Sequence, residues 1–179
     1  GNDALTTLTT GDRNTAVGLQ AGAAITTGSY NSFFGSDSGD ATTTGDYNTG
    51  IGERSLSANT TADYNTAIGF QSAKLNTTGT ANVALGADAL RQNLTGAANV
   101  AVGNNALVLN TASNNTAVGK NALTANTTGT QNTALGMNAL ASNTTANDSI
   151  AIGYIALDTM TTGSFNTCVG SGAGTATTT

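Results

Sequence analysis

The residues that could carry out chemistry are few and scattered along the chain. The 179-residue sequence contains no histidine and a single cysteine, Cys168. Histidine is the commonest acid–base residue and metal ligand. Cys168 stands where equivalent segments have alanine, which favours a small packing residue over a nucleophile. We therefore predict no catalytic residue, no bound cofactor and no metal ligand, and hence no enzyme.

The acidic residues do not converge on one site. Asp46 and Asp63 lie 17 residues apart, whereas Asp37, Asp40 and Glu53 fall at unrelated places. Calcium at Asp46 and Asp63 is an alternative because hard cations take carboxylates, but the glycine and aspartate pattern of calcium-binding solenoids is absent. The net charge of −5 argues against nucleic acid or an anionic membrane surface as a partner. No apolar run is long enough to predict membrane insertion.

One pentapeptide, first seen as N-T-A-V-G at residues 14–18, recurs along the whole chain. We number the repeat from its asparagine, so that the consensus over positions 1 to 17 reads N-T-A-(V/I/L)-G-x-x-A-L-x-x-N-T-T-G-x-x. The position 5 glycines are spaced by 17 residues, with one interval of 16 near Asn114: Gly18, Gly35, Gly52, Gly69, Gly86, Gly103, Gly119, Gly136, Gly153 and Gly170. Ten matches in register establish a tandem repeat.

The repeat length predicts an all-β fold, a parallel β-solenoid (β-roll) of about ten 17-residue coils. Seventeen residues are too few for a pair of helices. We expect one strand at about positions 1 to 4 and a second at about positions 8 to 14, with glycine turns between them. Residues 1–179 form a single repeat domain. Because neither end carries a capping repeat, we expect a segment of a longer fibre.

Alternation of side chains along each strand predicts a core and an interface. Large residues at positions 4 and 9 are expected inside the coil: Val17, Phe34, Ile51, Ile68, Leu85, Val102, Val118, Leu135, Ile152 and Val169, with Leu56, Leu90, Leu107, Leu123, Leu140 and Leu157. Phe34 is expected to compensate for Gly22 and Gly39, which replace the position 9 leucine. The position 3 alanines then point outward as a chain–chain interface: Ala16, Ala67, Ala84, Ala101, Ala117, Ala134 and Ala151.

Stacking the coils turns each repeat position into a ladder with rungs about 4.8 Å apart. Asparagines at positions 1 and 12 are expected to bond along the axis, and Tyr30, Tyr47 and Tyr64 at position 17 are expected to stack. Thr at positions 13 and 14 raises ice binding as an alternative, although adjacent side chains point to opposite sides of a strand. The glycosylation sequons, Asn59 among them, follow from the N-T-T consensus and are weak signals.

The N-T-A-V-G motif and its variant at residues 149–153 resemble the head repeats of trimeric autotransporter adhesins. The arrays of bacteriophage tail fibres and related bacterial surface proteins are similar over the whole repeat. The resemblance implies a homotrimer of β-rolls side by side, projecting from a virion or cell surface. It implies a non-enzymatic fibre or adhesin segment that contributes to attachment, with a cell-surface receptor or glycan as a partner. The alternative function is a ligand-binding solenoid, for ice or a glycan.

Overall fold

A computed structural model describes residues 1–176 of the chain as a stack of coils. Each coil contributes one three-residue strand, and the ten strands of this part of the chain form one parallel sheet in chain order. The described residues contain no helix that could cross a membrane. The strands are β1 Thr15–Val17, β2 Ser32–Phe34, β3 Thr49–Ile51, β4 Thr66–Ile68, β5 Val83–Leu85, β6 Val100–Val102, β7 Thr116–Val118, β8 Thr133–Leu135, β9 Ile150–Ile152 and β10 Thr167–Val169.

The parallel β-solenoid predicted from the repeat is therefore confirmed over the described residues. Each strand occupies positions 2 to 4 and pairs with the same positions of the next coil, as Thr49, Gly50 and Ile51 pair with Thr66, Ala67 and Ile68. The short interval near Asn114 does not disturb this register, because Ala101 still pairs with Ala117. Residues 177–179 of the predicted domain lie outside the described part.

The prediction of a second strand at positions 8 to 14 is wrong for the described residues. Positions 6 to 14 form a series of turns instead, which we call the turn wall; positions 1 to 4 form the strand wall. The turn wall contains non-glycine residues in the left-handed region, at positions 7 and 9 of the same coil, such as Asn105 (φ 58°) and Leu107 (φ 51°). Two left-handed residues separated by one other residue cannot belong to an extended strand.

The turn wall nevertheless bonds to the coils on either side of it. In the fifth coil, the Asp88 N–H donates to Phe70 O of the preceding coil (2.9 Å), and the Leu90 N–H donates to Ala106 O of the following coil (2.9 Å). The left-handed residues turn successive N–H groups toward opposite neighbours, so the backbone is satisfied without a second sheet.

The core lies between the two walls. The position 9 leucines are fully buried, in agreement with the prediction: Leu56, Leu90, Leu107, Leu123, Leu140 and Leu157. Alanine or serine at position 8 and asparagine at position 12 are buried beside them in most coils. Positions 8 and 9 both point inward, so burial on the turn wall does not alternate.

The predicted direction of the strand side chains is reversed. The position 4 residues are on the outside of the coil, where they are exposed or half-buried: Val17, Phe34, Ile51, Ile68, Leu85, Val102, Val118, Leu135, Ile152 and Val169. The position 3 alanines point inward and are fully buried, apart from Ala16 in the first complete coil, which is partly buried: Ala67, Ala84, Ala101, Ala117, Ala134 and Ala151. An interface between chains through these alanines is therefore excluded.

The narrow interior explains this reversal. In the coils that have a position 9 leucine, this side chain and the buried side chains at positions 1 and 12 already fill the space between the walls, which leaves room for only a methyl group at position 3. The exception, Phe33, supports this account, since its buried ring lies where Gly39 has no side chain. A Cβ on Gly39 would lie 2.4 Å from that ring, and one on Gly50 would lie 2.9 Å from it. The residue that compensates for the missing leucines is therefore Phe33 and not Phe34.

Two buried asparagine ladders bond the coils together, as predicted. At position 1, the Asn31 Oδ1 accepts from the Asn48 backbone N–H (2.9 Å) and from Asn48 Nδ2 (3.1 Å). Asn31 Nδ2 in turn donates to Gly45 O at 2.8 Å. At position 12, Asn76 Nδ2 donates to Asn59 Oδ1 (3.2 Å) and to Gly79 O (2.9 Å). These bonds satisfy polar groups that would be costly to leave unpaired in the core.

Candidate interaction surface

The outward side chains of the ten strands form one continuous surface, which we call the strand face: positions 2 and 4 of every coil from residue 15 to residue 169. Position 4 supplies a row of large apolar side chains in every coil, with exposures such as 53% for Val17, 43% for Leu85 and 46% for Leu135. Position 2 supplies threonine, serine, valine or isoleucine. The strand face thus exposes apolar side chains that are usually covered.

The strand face carries no charged residue at positions 2 and 4. Position 6, which follows it in each coil, is mixed. Exposed Leu19, Phe70, Met137 and Tyr154 extend the apolar character, whereas Glu53, Asn104 and Lys120 are polar and exposed. Ten rungs make this surface about 45 Å long, and its width of about 13 Å gives on the order of 600 Å². Such an area matches the largest apolar patches of monomeric proteins and approaches the roughly 800 Å² that each partner buries in a stable complex. The arrangement is suited to contact with another macromolecule.

The residues with reactive side chains remain dispersed in the fold. Cys168 lies in β10 at position 3, half-buried against the core. No group of three His, Cys, Asp or Glu side chains in residues 1–176 is arranged to hold a metal ion. Asp46 and Asp63 do stack in neighbouring coils, but the Oδ1 of Asp63 accepts the backbone N–H of Asp46 at 2.8 Å. The Asp46 Oδ1 accepts the Ser29 N–H at 2.7 Å. Both carboxylates therefore stabilise turns.

The other acids singled out in the sequence lie apart from this pair. Asp37 forms an ion pair with Arg54 at 3.6 Å, and Glu53 is exposed. Burial raises the pKa of Asp40, whose Oδ1 has no hydrogen-bond partner, and the charge of Asp37 adds to this shift. One desolvated carboxylic acid without a base or nucleophile beside it does not constitute an acid–base pair.

The threonine ladders differ in their role. At position 13, the Thr43 hydroxyl donates to Thr60 O of the next coil (3.1 Å), and Thr60 repeats this contact with Thr77 O (3.2 Å). Position 14 threonines such as Thr44 and Thr61 are exposed. The position 13 hydroxyls are therefore engaged in bonds between coils, whereas the position 14 side chains meet solvent. The sequon residues Asn59, Asn76, Asn126 and Asn143 are fully buried in the position 12 ladder.

The predicted aromatic ladder is present at position 17. The rings of Tyr30 and Tyr47 lie 4.7 Å apart with 11° between their planes, and those of Tyr47 and Tyr64 lie 5.1 Å apart with 4° between their planes. The pKa of Tyr47 is raised by desolvation and by repulsion from the negative charges that Tyr30 and Tyr64 acquire on ionisation. This ladder is the second exposed feature that could meet a ligand.

Comparison with protein-family models, with curated proteins and with solved structures gave no match to this chain. Its surfaces therefore have to be interpreted from their own chemistry.

The strand face was missed by sequence reasoning, although one signal for it was present. Position 1 is asparagine in almost every coil, and a bonded ladder of asparagine amides is most stable in the core. If position 1 points inward, alternation puts position 3 inside and positions 2 and 4 outside. The asparagine ladder at position 1, and not the size of the apolar residues, indicated which strand side chains point into the core.

Proposed function

We propose that this chain is a non-enzymatic structural segment of an extracellular or virion fibre or adhesin and contributes to attachment to a host or surface. In this proposal, three copies associate side by side through their strand faces. The observation that carries it is the uncharged ladder of exposed valine, isoleucine and leucine along the sheet. An apolar surface of this length is costly to leave in water.

A second copy of the chain fits this surface because both share the same repeat. Two strand faces with rungs about 4.8 Å apart can remain in register over their full length, whereas a partner with another spacing could not. A homo-oligomer with closed symmetry is also the commonest arrangement of associated chains. The number three rests on the resemblance of the repeat to trimeric fibre and adhesin arrays.

Light scattering of the purified protein tests the association. We expect a mass about three times the chain mass of 17.5 kDa. The double variant Val102→Glu and Val118→Glu adds two charges to the centre of the strand face and should yield a folded monomer. The matched double variant Thr128→Glu and Thr145→Glu adds the same charges at exposed position 14 and should remain trimeric.

The possible results separate the parts of the proposal. A folded wild-type monomer would overturn the homotrimer. A trimer that survives Val102→Glu and Val118→Glu would overturn the strand face as its contact. Cleavage of a polysaccharide or peptide by the purified protein, lost on substitution of one Asp or Glu, would contradict the non-enzymatic role.

A further inference from the structure

The tyrosine ladder has two ends, and they differ. At one end, the Arg13 guanidinium covers the outer face of Tyr30, with its Cζ 5.0 Å from the ring centroid. Its Nη1 also donates to the Tyr30 hydroxyl. At the other end, the coils that follow Tyr64 have only the methyl groups of Ala81 and Ala98 at position 17, and both alanines are exposed.

The outer face of Tyr64 is therefore open. Its ring is parallel to that of Tyr47, so its second face points along the axis toward the coil of Ala81. Tyr64 is 62% exposed, compared with 41% for Tyr30 and 46% for Tyr47. Beside this face, two successive rungs, roughly 10 Å, carry only the methyl groups of the two exposed alanines at position 17. We call this open surface the recess.

The charge around the recess is negative. Asp46 and Asp63 precede Tyr47 and Tyr64 in the chain, and each uses only its Oδ1 to accept a backbone N–H of the preceding coil. The salt bridges of the described residues join Arg54 to Asp37 and Arg91 to Asp88, so neither carboxylate is neutralised by such a contact. A cation above Tyr64 would be attracted by the ring and by both carboxylates.

We propose that the open face of Tyr64, beside Asp63 and above Ala81, binds a guanidinium group supplied by a ligand. Arg13 shows within this molecule which group the outer face of a position 17 tyrosine accepts. A guanidinium is planar and stacks on an aromatic face, and it is more weakly hydrated than an ammonium group. The ligand is a free guanidinium compound or an arginine side chain of another polypeptide.

Titration of the intact protein, carrying 13C-labelled tyrosine rings, with N-acetyl-arginine amide tests the site by NMR. The Tyr64 ring signals should shift saturably with a dissociation constant in the roughly millimolar range, as suits an exposed cation–π contact. Tyr30, which Arg13 already covers, should not shift, and neither should Tyr154 outside the ladder. The citrulline analogue, which is neutral and of similar shape, should cause no saturable shift.

Three variants make the test specific. Tyr64→Ala removes the face and should abolish binding. Asp63→Asn keeps an Oδ1 acceptor, as Asn147 does for Thr130 N at 2.8 Å, but it should weaken binding about twofold to fivefold because the charge is lost. Ala81→Arg should cover Tyr64 in the same way that Arg13 covers Tyr30, and so block the ligand. The backbone allows this change, since φ is 57° at Ala81 and 58° at Arg13.

The reciprocal variant Arg13→Ala should uncover Tyr30 and make its ring signals respond to the ligand. A tenfold lower dissociation constant for a peptide with several arginines than for the amide would identify a polypeptide as the source of the group; equal constants would identify the free compound. Equal shifts with the citrulline analogue or with methyl glucoside would overturn guanidinium recognition. Binding that persists in Tyr64→Ala would overturn the site.

Discussion

In the strand wall, each coil contributes three residues that pair in register with the coils before and after it. In the turn wall, the same stack is bonded through left-handed residues, such as Leu90 (φ 54°), whose N–H donates to the next coil at 2.9 Å. The strand wall thus has a regular backbone, and the size of the inward side chains limits which residues it can accept. The turn wall tolerates leucine, alanine and glycine at position 9, but it demands a particular backbone conformation at positions 7 and 9.

This difference predicts how each wall responds to substitution. Strand-wall substitutions should depend on which side of the sheet the side chain lies. Turn-wall substitutions should depend on whether the new residue adopts a positive φ and on whether its polar atoms find partners.

The largest expected effect separates the two sides of the strand wall. Ala117→Glu puts a charge into a core that has no partner for it, and it should lower the free energy of unfolding by at least about 3–5 kcal/mol. The adjacent Val118→Glu places the same group on the strand face and should leave the β-type circular dichroism spectrum intact. Thermal unfolding followed by circular dichroism measures both variants. A stable Ala117→Glu protein would contradict the assigned direction of the strand.

The second effect concerns the asparagine ladder of the strand wall. Asn65→Ala leaves the Asn82 N–H (3.0 Å) without its side-chain acceptor. It also removes one of the two amide donors of Gly79 O, which keeps its bond from Asn76 Nδ2 (2.9 Å). One unsatisfied buried N–H should lower the free energy of unfolding by about 1–3 kcal/mol. Asn104→Ala is the matched control because the Asn104 side chain is exposed: its Nδ2 donates to Ala87 O (3.1 Å) and its Oδ1 accepts from Asn105 Nδ2 (3.3 Å), both at the surface. Urea denaturation should show a loss several times larger for Asn65→Ala than for Asn104→Ala.

Much of the strand wall could be predicted from the sequence. The repeat length gives the coil and the parallel register, because equal spacing places like residues on successive rungs. The stacking of Tyr47 on Tyr64 followed from this register alone. The sequence did not predict on which side of the sheet Ala117 and Val118 lie. Alternation places neighbouring side chains on opposite sides, but it does not say which of the two is inside. The larger residue was assumed to be inside, and the narrow core reverses that rule.

The turn wall was less predictable because its conformation has weak sequence signals. Leucine is unfavourable at positive φ, so Leu107 and Leu123 gave no sign of a left-handed turn. Their burial was predicted, but from an extended strand that does not exist. The candidate recess at Tyr64 was not predicted either, since it depends on the absence of a side chain at Ala81 and on the arginine at the far end of the ladder.

The third effect tests the backbone of the turn wall. Ile155 is a β-branched residue at position 7 with φ 51°, where the equivalent Asn138 has φ 58°. β-branched side chains are strained in this region, whereas asparagine tolerates it. Ile155→Asn should therefore raise the free energy of unfolding by about 1 kcal/mol, and Asn138→Ile should lower it by a similar amount. Urea denaturation of both variants checks the pair; changes of the same sign would contradict the backbone account.

The smallest effect concerns Asp40, the turn-wall carboxylate whose Oδ1 has no partner. Burial raises its folded-state pKa above the ordinary value of 3.8. Below pH 3.8 the group is protonated in both states and carries no penalty. As the pH rises from there through the folded-state pKa, the folded state must ionise a desolvated group, and stability is lost.

Asp40→Asn should thus be more stable than the wild type at neutral pH, and the gain should vanish in acid. Asp12→Asn removes the same formal charge from an exposed position. Subtracting its change in stability from that of Asp40→Asn therefore leaves the part of the change that is due to burial of the carboxylate. Urea midpoints measured between pH 3 and pH 7 follow the difference, and an advantage for Asp40→Asn that grows toward acid would contradict the assigned direction.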